Sequence, residues 1–203
     1  MTVGVILAGG RSQRMGGGDK CLLHLDERVI LEHVIERLRS QVDDVVLNAN
    51  GEAERFAGFG ISVVRDSISG FVGPLGGVLA GLDWAAERGE SHALTVAADT
   101  PFFPEDLLTR LAAARDEQVQ PLSMAATLGE GGRLDRHPTF ALWPVALRDD
   151  LRASLLDGMR KVIAWTDPVG CAIASFDDPE SFFNVNAPDD LEHARRRVRR
   201  PMT

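Results

Sequence analysis

Cysteine is nearly absent: Cys21 and Cys171 are the only two in 203 residues, and neither belongs to a CxxC pattern. Neither a disulfide framework nor a structural zinc site is indicated, and a reducing, cytoplasmic setting fits. Long apolar runs are missing as well. The uncharged stretch 67–82 is shorter than the roughly 20 apolar residues a membrane span needs, and Pro74 and several glycines interrupt it. Residues 3–8 have no basic region before them and continue into a polar, glycine-rich loop, unlike a signal sequence. Positive charge is also in deficit, 22 Lys and Arg against 30 Asp and Glu, for a net charge of -8. The chain as a whole therefore repels nucleic acid and anionic membranes, and an anionic ligand needs a local pocket. The basic run 195–200 is read as the end of a terminal helix, where cations complement the dipole. No Ser/His/Asp or Cys/His arrangement stands out.

What is present is an ordinary globular composition, 44% hydrophobic and 26% charged, over a length that suits one domain spanning residues 1–203. Short apolar runs at 3–7, 45–47, 61–64 and 93–97 predict strands of a sheet covered on both faces. Between the first two, Ile30, Leu31, Val34, Ile35 and Leu38 recur at helical spacing, which makes a βαβ unit. Proline opens the stretches 74–88 and 104–115, as suits a first helical turn. This alternation predicts an α/β protein, a three-layer αβα arrangement with a doubly wound, mostly parallel sheet and a ligand beyond the carboxyl ends of its strands. Beyond Gln120 the pattern loosens into strand-like runs at 122–128, 139–143 and 171–176 and a helical stretch after Pro144. A last helix, opened by Pro188, is expected to pack Leu191, Ala194 and Val198 on the core.

The first strand runs into Leu7-Ala8-Gly9-Gly10-Arg11-Ser12-Gln13-Arg14-Met15-Gly16-Gly17-Gly18-Asp19-Lys20. Its glycines permit left-handed dihedrals and close approach, so that backbone N–H groups converge on phosphate oxygens, and Arg14 and Lys20 add positive charge. Glycine content alone reads equally well as a loose turn with solvated cations. The spacing satisfies neither the dinucleotide GxGxxG nor the GxxxxGK[ST] pattern. A second feature is Asp99, which ends the apolar run 93–98 and places a carboxylate at a strand's carboxyl end. Ligands of open α/β sheets bind there, and a hard oxygen ligand suits Mg²⁺ bridging phosphates, although an aspartate before a turn is by itself more often a turn residue. Gly73-Pro74-Leu75-Gly76-Gly77 is another flexible loop, with more glycine than a helix entry requires. Asn48 and Asp66 lie where strands end and, taken singly, read as turn residues.

The arrangement LAGGxSxRMGxxK is similar to the signature of nucleotidyltransferases that release pyrophosphate. With Asp99-Thr100-Pro101-Phe102 it resembles the molybdenum cofactor guanylyltransferases over roughly residues 3–192. The resemblance implies a Rossmann-like nucleotidyltransferase fold whose amino-terminal half binds nucleotide and whose carboxyl-terminal half binds the acceptor. It implies nucleotide contacts from Leu7, Ala8, Gly9, Gly10, Asn48, Asp66 and Gly73, triphosphate contacts from Arg14 and Lys20, and Mg²⁺ at Asp99. Arg14, Lys20 and Asp99 are the expected catalytic residues. The related cytidylyl branch has DQP where this chain has Asp99-Thr100-Pro101, so Thr100 points to guanine. The segments His137–Trp143 and Phe183–Pro188 resemble HPxxALW and NxNTP, which implies acceptor contacts from His137, Asn184 and Asn186. Ala187 departs from the usual threonine.

The implied reaction is transfer of GMP from GTP to the phosphate of molybdenum-molybdopterin, with molybdenum-insertion proteins or apo-molybdoenzymes receiving the product and no nucleic acid or membrane partner. A phosphate monoester, with its second pKa of about 6, attacks without a general base. A cytidylyltransferase for the same pterin and a sugar-phosphate nucleotidyltransferase are the alternatives among enzymes, opposed by Thr100 and the asparagine pair. A regulatory nucleotide-binding module without catalysis is opposed by Lys20 and Asp99.

Overall fold

The structure, a computed structural model, describes residues 1–9, 19–70 and 72–198. In chain order the elements are β1 (Thr2–Leu7), β2 (His24–Leu25), β3 (Arg28–Val29), α1 (Ile30–Arg39), β4 (Asp44–Asn48), β5 (Ser62–Val64), α2 (Pro74–Glu87) and β6 (His92–Ala97). Then follow α3 (Leu107–Gln118), β7 (Leu122–Leu128), β8 (Leu134–Pro144), α4 (Arg148–Leu156), α5 (Val162–Val169), β9 (Cys171–Phe176) and α6 (Pro188–Val198). One sheet of seven strands has the order β5-β4-β1-β6-β8-β7-β9. β8 runs antiparallel to β6 and β7, and the remaining pairings in that sheet are parallel. β2 and β3 form a separate small hairpin.

The central strands are apolar along their length because both faces are covered. Val3, Val5 and Val46 turn to one face, where Leu75, Val78 and Leu79 of α2, Leu151 and Leu155 of α4 and Trp165 of α5 bury them. Ile6, Val45 and Leu47 turn to the other, against Leu31, Val34 and Leu38 of α1, with α3 and Ala194 of α6 on the same side. Helices on both faces of a mostly parallel sheet give the three-layer α/β architecture expected from the alternation of the sequence. From β1 the chain winds first to β4 and β5, and later returns to β6 on the other side of β1. The strand order reverses there, which opens a crevice at the carboxyl ends of β1 and β6.

Three details differ from the sequence-based expectation. Pro104 does not open a helix: α3 begins at Leu107, with Asp106 before it. Side chains of the α1 region replace the missing first turn, since Arg37 donates to Phe103 O (3.2 Å), Gln41 Nε2 to Pro104 O (3.1 Å), and Gln41 Oε1 accepts from Leu108 N (3.0 Å). The run 139–143 belongs to an eleven-residue strand, β8. Its pairing with β7 jumps from Ala125–His137 to Met124–Ala141, so residues 138–140 have no β7 partner in the ladder, and Pro138 needs no amide hydrogen there. Val198, expected in the core, is 38% exposed on the last turn of α6, whereas Ala194 is fully buried. No helix among the described residues is long and apolar enough to cross a membrane.

Candidate active site

Beyond β1 the backbone stays between its neighbours: Ala8 N donates to Asn48 O (2.9 Å) and Ala98 N to Leu7 O (3.1 Å). Leu7, Ala8 and Gly9 thus form one wall of a cavity of about 290 Å³ at the carboxyl ends of β1, β4 and β6. Asn48, the last residue of β4, forms part of its floor and is almost fully buried. Its amide donates to Asp66 Oδ1 (2.9 Å), while Asn50 donates to Asp66 Oδ2 (2.9 Å) and accepts from Asp66 N (3.1 Å). Asp66 stands behind Asn48, outside the cavity lining, and fixes the orientation of that amide.

The start of α2 also lines the cavity, beside the ends of β1 and β4. Gly73 has φ +70° and ψ -165°, a conformation that L side chains rarely adopt, so glycine is required to turn the chain into the helix at Pro74. A Cβ at Gly77 would lie 2.3 Å from Asn48 Oδ1 and 2.8 Å from Leu7 Cδ2, so glycine lets the helix approach the ends of β1 and β4. The amino-terminal end of α2, the positive end of its dipole, borders the cavity through Gly73, Pro74 and Gly77.

Asp99 follows β6 directly and lines the same cavity as Lys20, 79 positions away in the chain. Its main-chain oxygen accepts from Val185 N (2.8 Å), which brings residues 184–186 to the rim. Lys20 Nζ donates to Asn186 Oδ1 (2.9 Å), and the hydroxyl of Thr100 donates to Asn184 Oδ1 (2.6 Å). Burial pushes the Asp99 carboxyl above its ordinary pKa, and the nearby Lys20 charge and Thr100 hydroxyl offset only part of that rise. Lys20 begins a one-turn 3₁₀ helix, Lys20–Leu22, whose buried Cys21 anchors it to the core. The Cys21 thiol is pushed up to about 12 by burial and by Asp19, so it is a protonated packing residue and no nucleophile.

Nine of the candidate residues therefore converge on one cavity: Leu7, Ala8, Gly9, Lys20, Asn48, Gly73, Asp99, Asn184 and Asn186. Gly10 and Arg14 lie outside the described residues. His137 does not line the cavity. Its ring stacks on Phe182 (centroids 4.2 Å apart, 7° between planes), its Nε2 meets Thr127 Oγ1 (2.9 Å), and burial lowers its pKa. Thr139, in the unpaired part of β8, lines the cavity instead. Thr100 is fully buried behind the lining and reaches it through Asn184. Asp19, Thr139 and Gly77 are lining residues that the motif reading did not single out, although all three stand inside segments that it did.

Bare backbone, a helix amino terminus, a lysine and a desolvated carboxylate around one crevice form a site for a polyanion and its counter-charge. The class follows, since the family model of the MobA-like NTP transferase domain matches residues 4–169, and the protein is a nucleotidyltransferase. A relative from Rhodopseudomonas palustris named molybdenum cofactor guanylyltransferase is 48% identical over 202 residues, 96% of this chain and 93% of the relative. Another of that name, from Mesorhizobium japonicum, is 44% identical over 200 residues, 95% of this chain and 94% of its own. The chain belongs to the molybdenum cofactor guanylyltransferase family. The crystal structure of molybdopterin-guanine dinucleotide biosynthesis protein A from Archaeoglobus fulgidus shares the fold, with a TM-score of 0.74, 24% identity and 98% of each chain covered.

Proposed function

We propose that this protein transfers GMP from GTP to the phosphate of molybdenum-molybdopterin, giving the guanine dinucleotide form of the cofactor and pyrophosphate. The observation that carries this reading is the convergence of Lys20 and Asp99 on one cavity walled by the backbone of Leu7, Ala8 and Gly9. An oxygen of the acceptor phosphate forms the new bond to the α-phosphorus, the α–β bridging bond breaks, and its electron pair leaves on pyrophosphate. Lys20, already oriented by Asn186, stabilises the charge that accumulates on the leaving group. Asn48, held by Asp66, and the α2 entry at Gly73 face the nucleoside, while Asn184 and Asn186 face the acceptor. In-line placement of two anions by fixed groups supplies the rate enhancement, and no general base is needed for an acceptor that is already ionised.

Asp99 is the residue that would hold Mg²⁺. The described residues contain no group of three or more His, Cys, Asp or Glu able to cage a metal ion. A single desolvated carboxylate instead suits a cation whose other ligands are phosphate oxygens and water. When bound, Mg²⁺ supplies charge neutralisation at the phosphates.

The decisive experiment offers purified protein the molybdenum-molybdopterin acceptor with GTP, CTP or ATP and Mg²⁺, and identifies the dinucleotide by mass. GTP is the expected donor. A preference for CTP would move the protein to the cytidylyl branch, and triphosphate binding without pyrophosphate release would make it a binding module.

A further inference from the structure

Arg55 lies outside every motif, in the 3₁₀ segment Ala53–Phe59 that follows β4. All three nitrogens of its guanidinium are engaged. Nε donates to Asp19 Oδ2, Nη1 to Glu52 O, and Nη2 to Asn50 O (2.7 Å). The group also stands over the ring of Phe56, 4.4 Å from its centroid, and that ring is fully buried. A stacked guanidinium with three fixed acceptors has little rotational freedom, and a lysine ammonium reproduces neither the stacking plane nor the fork. The Arg55 and Asp19 side chains are 28% and 25% exposed, so water screens the pair only in part.

The two ends that Arg55 holds bear on different lining residues of the cavity. Asp19 lines it and immediately precedes Lys20. Asn50 clamps Asp66 through a reciprocal pair of hydrogen bonds, and Asp66 in turn holds Asn48. One side chain therefore ties the turn that carries the lysine to the network that orients the floor amide. It also neutralises Asp19, a carboxylate in a cavity that would otherwise meet a polyanion with like charge.

We infer that Arg55 is a positioning residue for nucleoside triphosphate: it couples the lysine turn at 19–22 to the Asn48–Asp66–Asn50 network and screens the Asp19 carboxylate from the phosphates. This rests on the reading of the cavity as a triphosphate site. Arg55→Met keeps an unbranched stem over Phe56 but removes the donors, and is expected to raise KM for GTP by about tenfold or more, with the KM for acceptor within about twofold of wild type. Arg55→Lys, which retains charge without the fork, should fall between the two. Adding Asp19→Asn to Arg55→Met removes the exposed like charge and should recover at least about threefold of the lost GTP affinity, a rescue that a merely structural role would not give. An unchanged KM for GTP in Arg55→Met, or no recovery in the double variant, would overturn the assignment.

Hydrogen exchange of the nucleotide-free protein provides a readout independent of the ligand. Arg55→Met should exchange faster than wild type both at 19–23 and at 48–52. Faster exchange at one segment alone, or at neither, would overturn the coupling whatever the protein binds. Wild-type protein that binds no nucleoside triphosphate, by contrast, would overturn the functional reading itself.

Discussion

Asp99 works against the fold that presents it. Burial raises its pKa above the unfolded value, so its contribution to stability is complete only below the ordinary carboxylate range and is lost as pH rises through the raised value. Once ionised, the buried carboxylate is destabilising in the absence of a counter-ion beyond Lys20. Asp99→Asn removes that charge while keeping the shape, and is expected to raise the Tm of nucleotide-free protein while abolishing metal-dependent turnover. Calorimetry and pyrophosphate release measure the two effects, and full activity in the variant would take Asp99 out of the site. Lys20 differs, because its ammonium already has a neutral partner in Asn186 and retains donors for phosphate. Lys20→Ala should lower kcat by roughly a hundredfold, as loss of one preorganised donor does, and turnover within about threefold of wild type would contradict its role.

The close approach of α2 to β1 and β4 sets the shape of the nucleoside side of the cavity. Gly77→Ala tests it, because two effects of opposite sign compete. Alanine in place of glycine inside a helix gains about 1 kcal/mol of intrinsic propensity. The new methyl, however, would sit 2.3 Å from Asn48 Oδ1, and Asn48 is clamped through Asp66 and cannot swing away. Overpacking of this kind costs about 1–3 kcal/mol, so the clash should win, and urea denaturation should find the variant less stable and weaker in GTP binding. A more stable Gly77→Ala protein would mean that α2 stands farther from β4 than described. The elements around this site were legible in the sequence to different degrees, for physical reasons. β1, β4 and β6 announce themselves because strands buried on both faces are continuously apolar, and α1 because its buried side is a stripe at helical spacing. The β2–β3 hairpin has two residues per strand, too short for any period, and α5 carries Pro168 in its last turn, which reads as a break. The start of α3 is not readable at Pro104 because Arg37 and Gln41, more than sixty residues away, hold the carbonyls of Phe103 and Pro104 and the amide of Leu108. At the site, residues that touch the cavity from glycine-rich or strand-end segments were readable. The stacking of His137 on Phe182 and the grip of Arg55 on Asp19 were not, since a distant partner leaves no local pattern.

Across the molecule, three histidines take the same sign and should make its stability depend on pH in a defined window. His33, His92 and His137 all have pKa values lowered, in each case chiefly by burial. Their surroundings favour the neutral ring. His33 Nδ1 faces Arg28 Nη2 (3.3 Å), with Glu32 and Glu36 only partly compensating. His92 Nε2 faces Arg115 Nη1 (2.6 Å) while its Nδ1 meets Ser91 Oγ (2.9 Å), and the amino terminus adds like charge against the pull of Asp116. His137 Nε2 meets Thr127, and Asp135 favours its protonation without outweighing burial. A folded pKa below the unfolded value of about 6.5 means that the contribution is complete above that pH and is lost as pH falls through the lowered values. A carboxylate held low, as Glu36 is by Arg28, titrates below this window, whereas Asp99, with its raised pKa, gains stability on protonation and opposes the three rings as a single group. The net charge of -8 acts in the opposite direction, since protonation relieves self-repulsion, but salt near 0.15 M screens a dispersed surface charge over about 8 Å and leaves the half-buried rings exposed to their neighbours. The Tm at that ionic strength should therefore be flat between about pH 7 and 8 and decline from about pH 6.5 toward 5. His92→Gln, which keeps a polar group in reach of Ser91 and Arg115 without a titrating ring, should make the decline shallower. A Tm that holds or rises over the acid half of that range would show that the rings take up protons without leaving their places, and that Arg115 yields to His92 rather than opposing it.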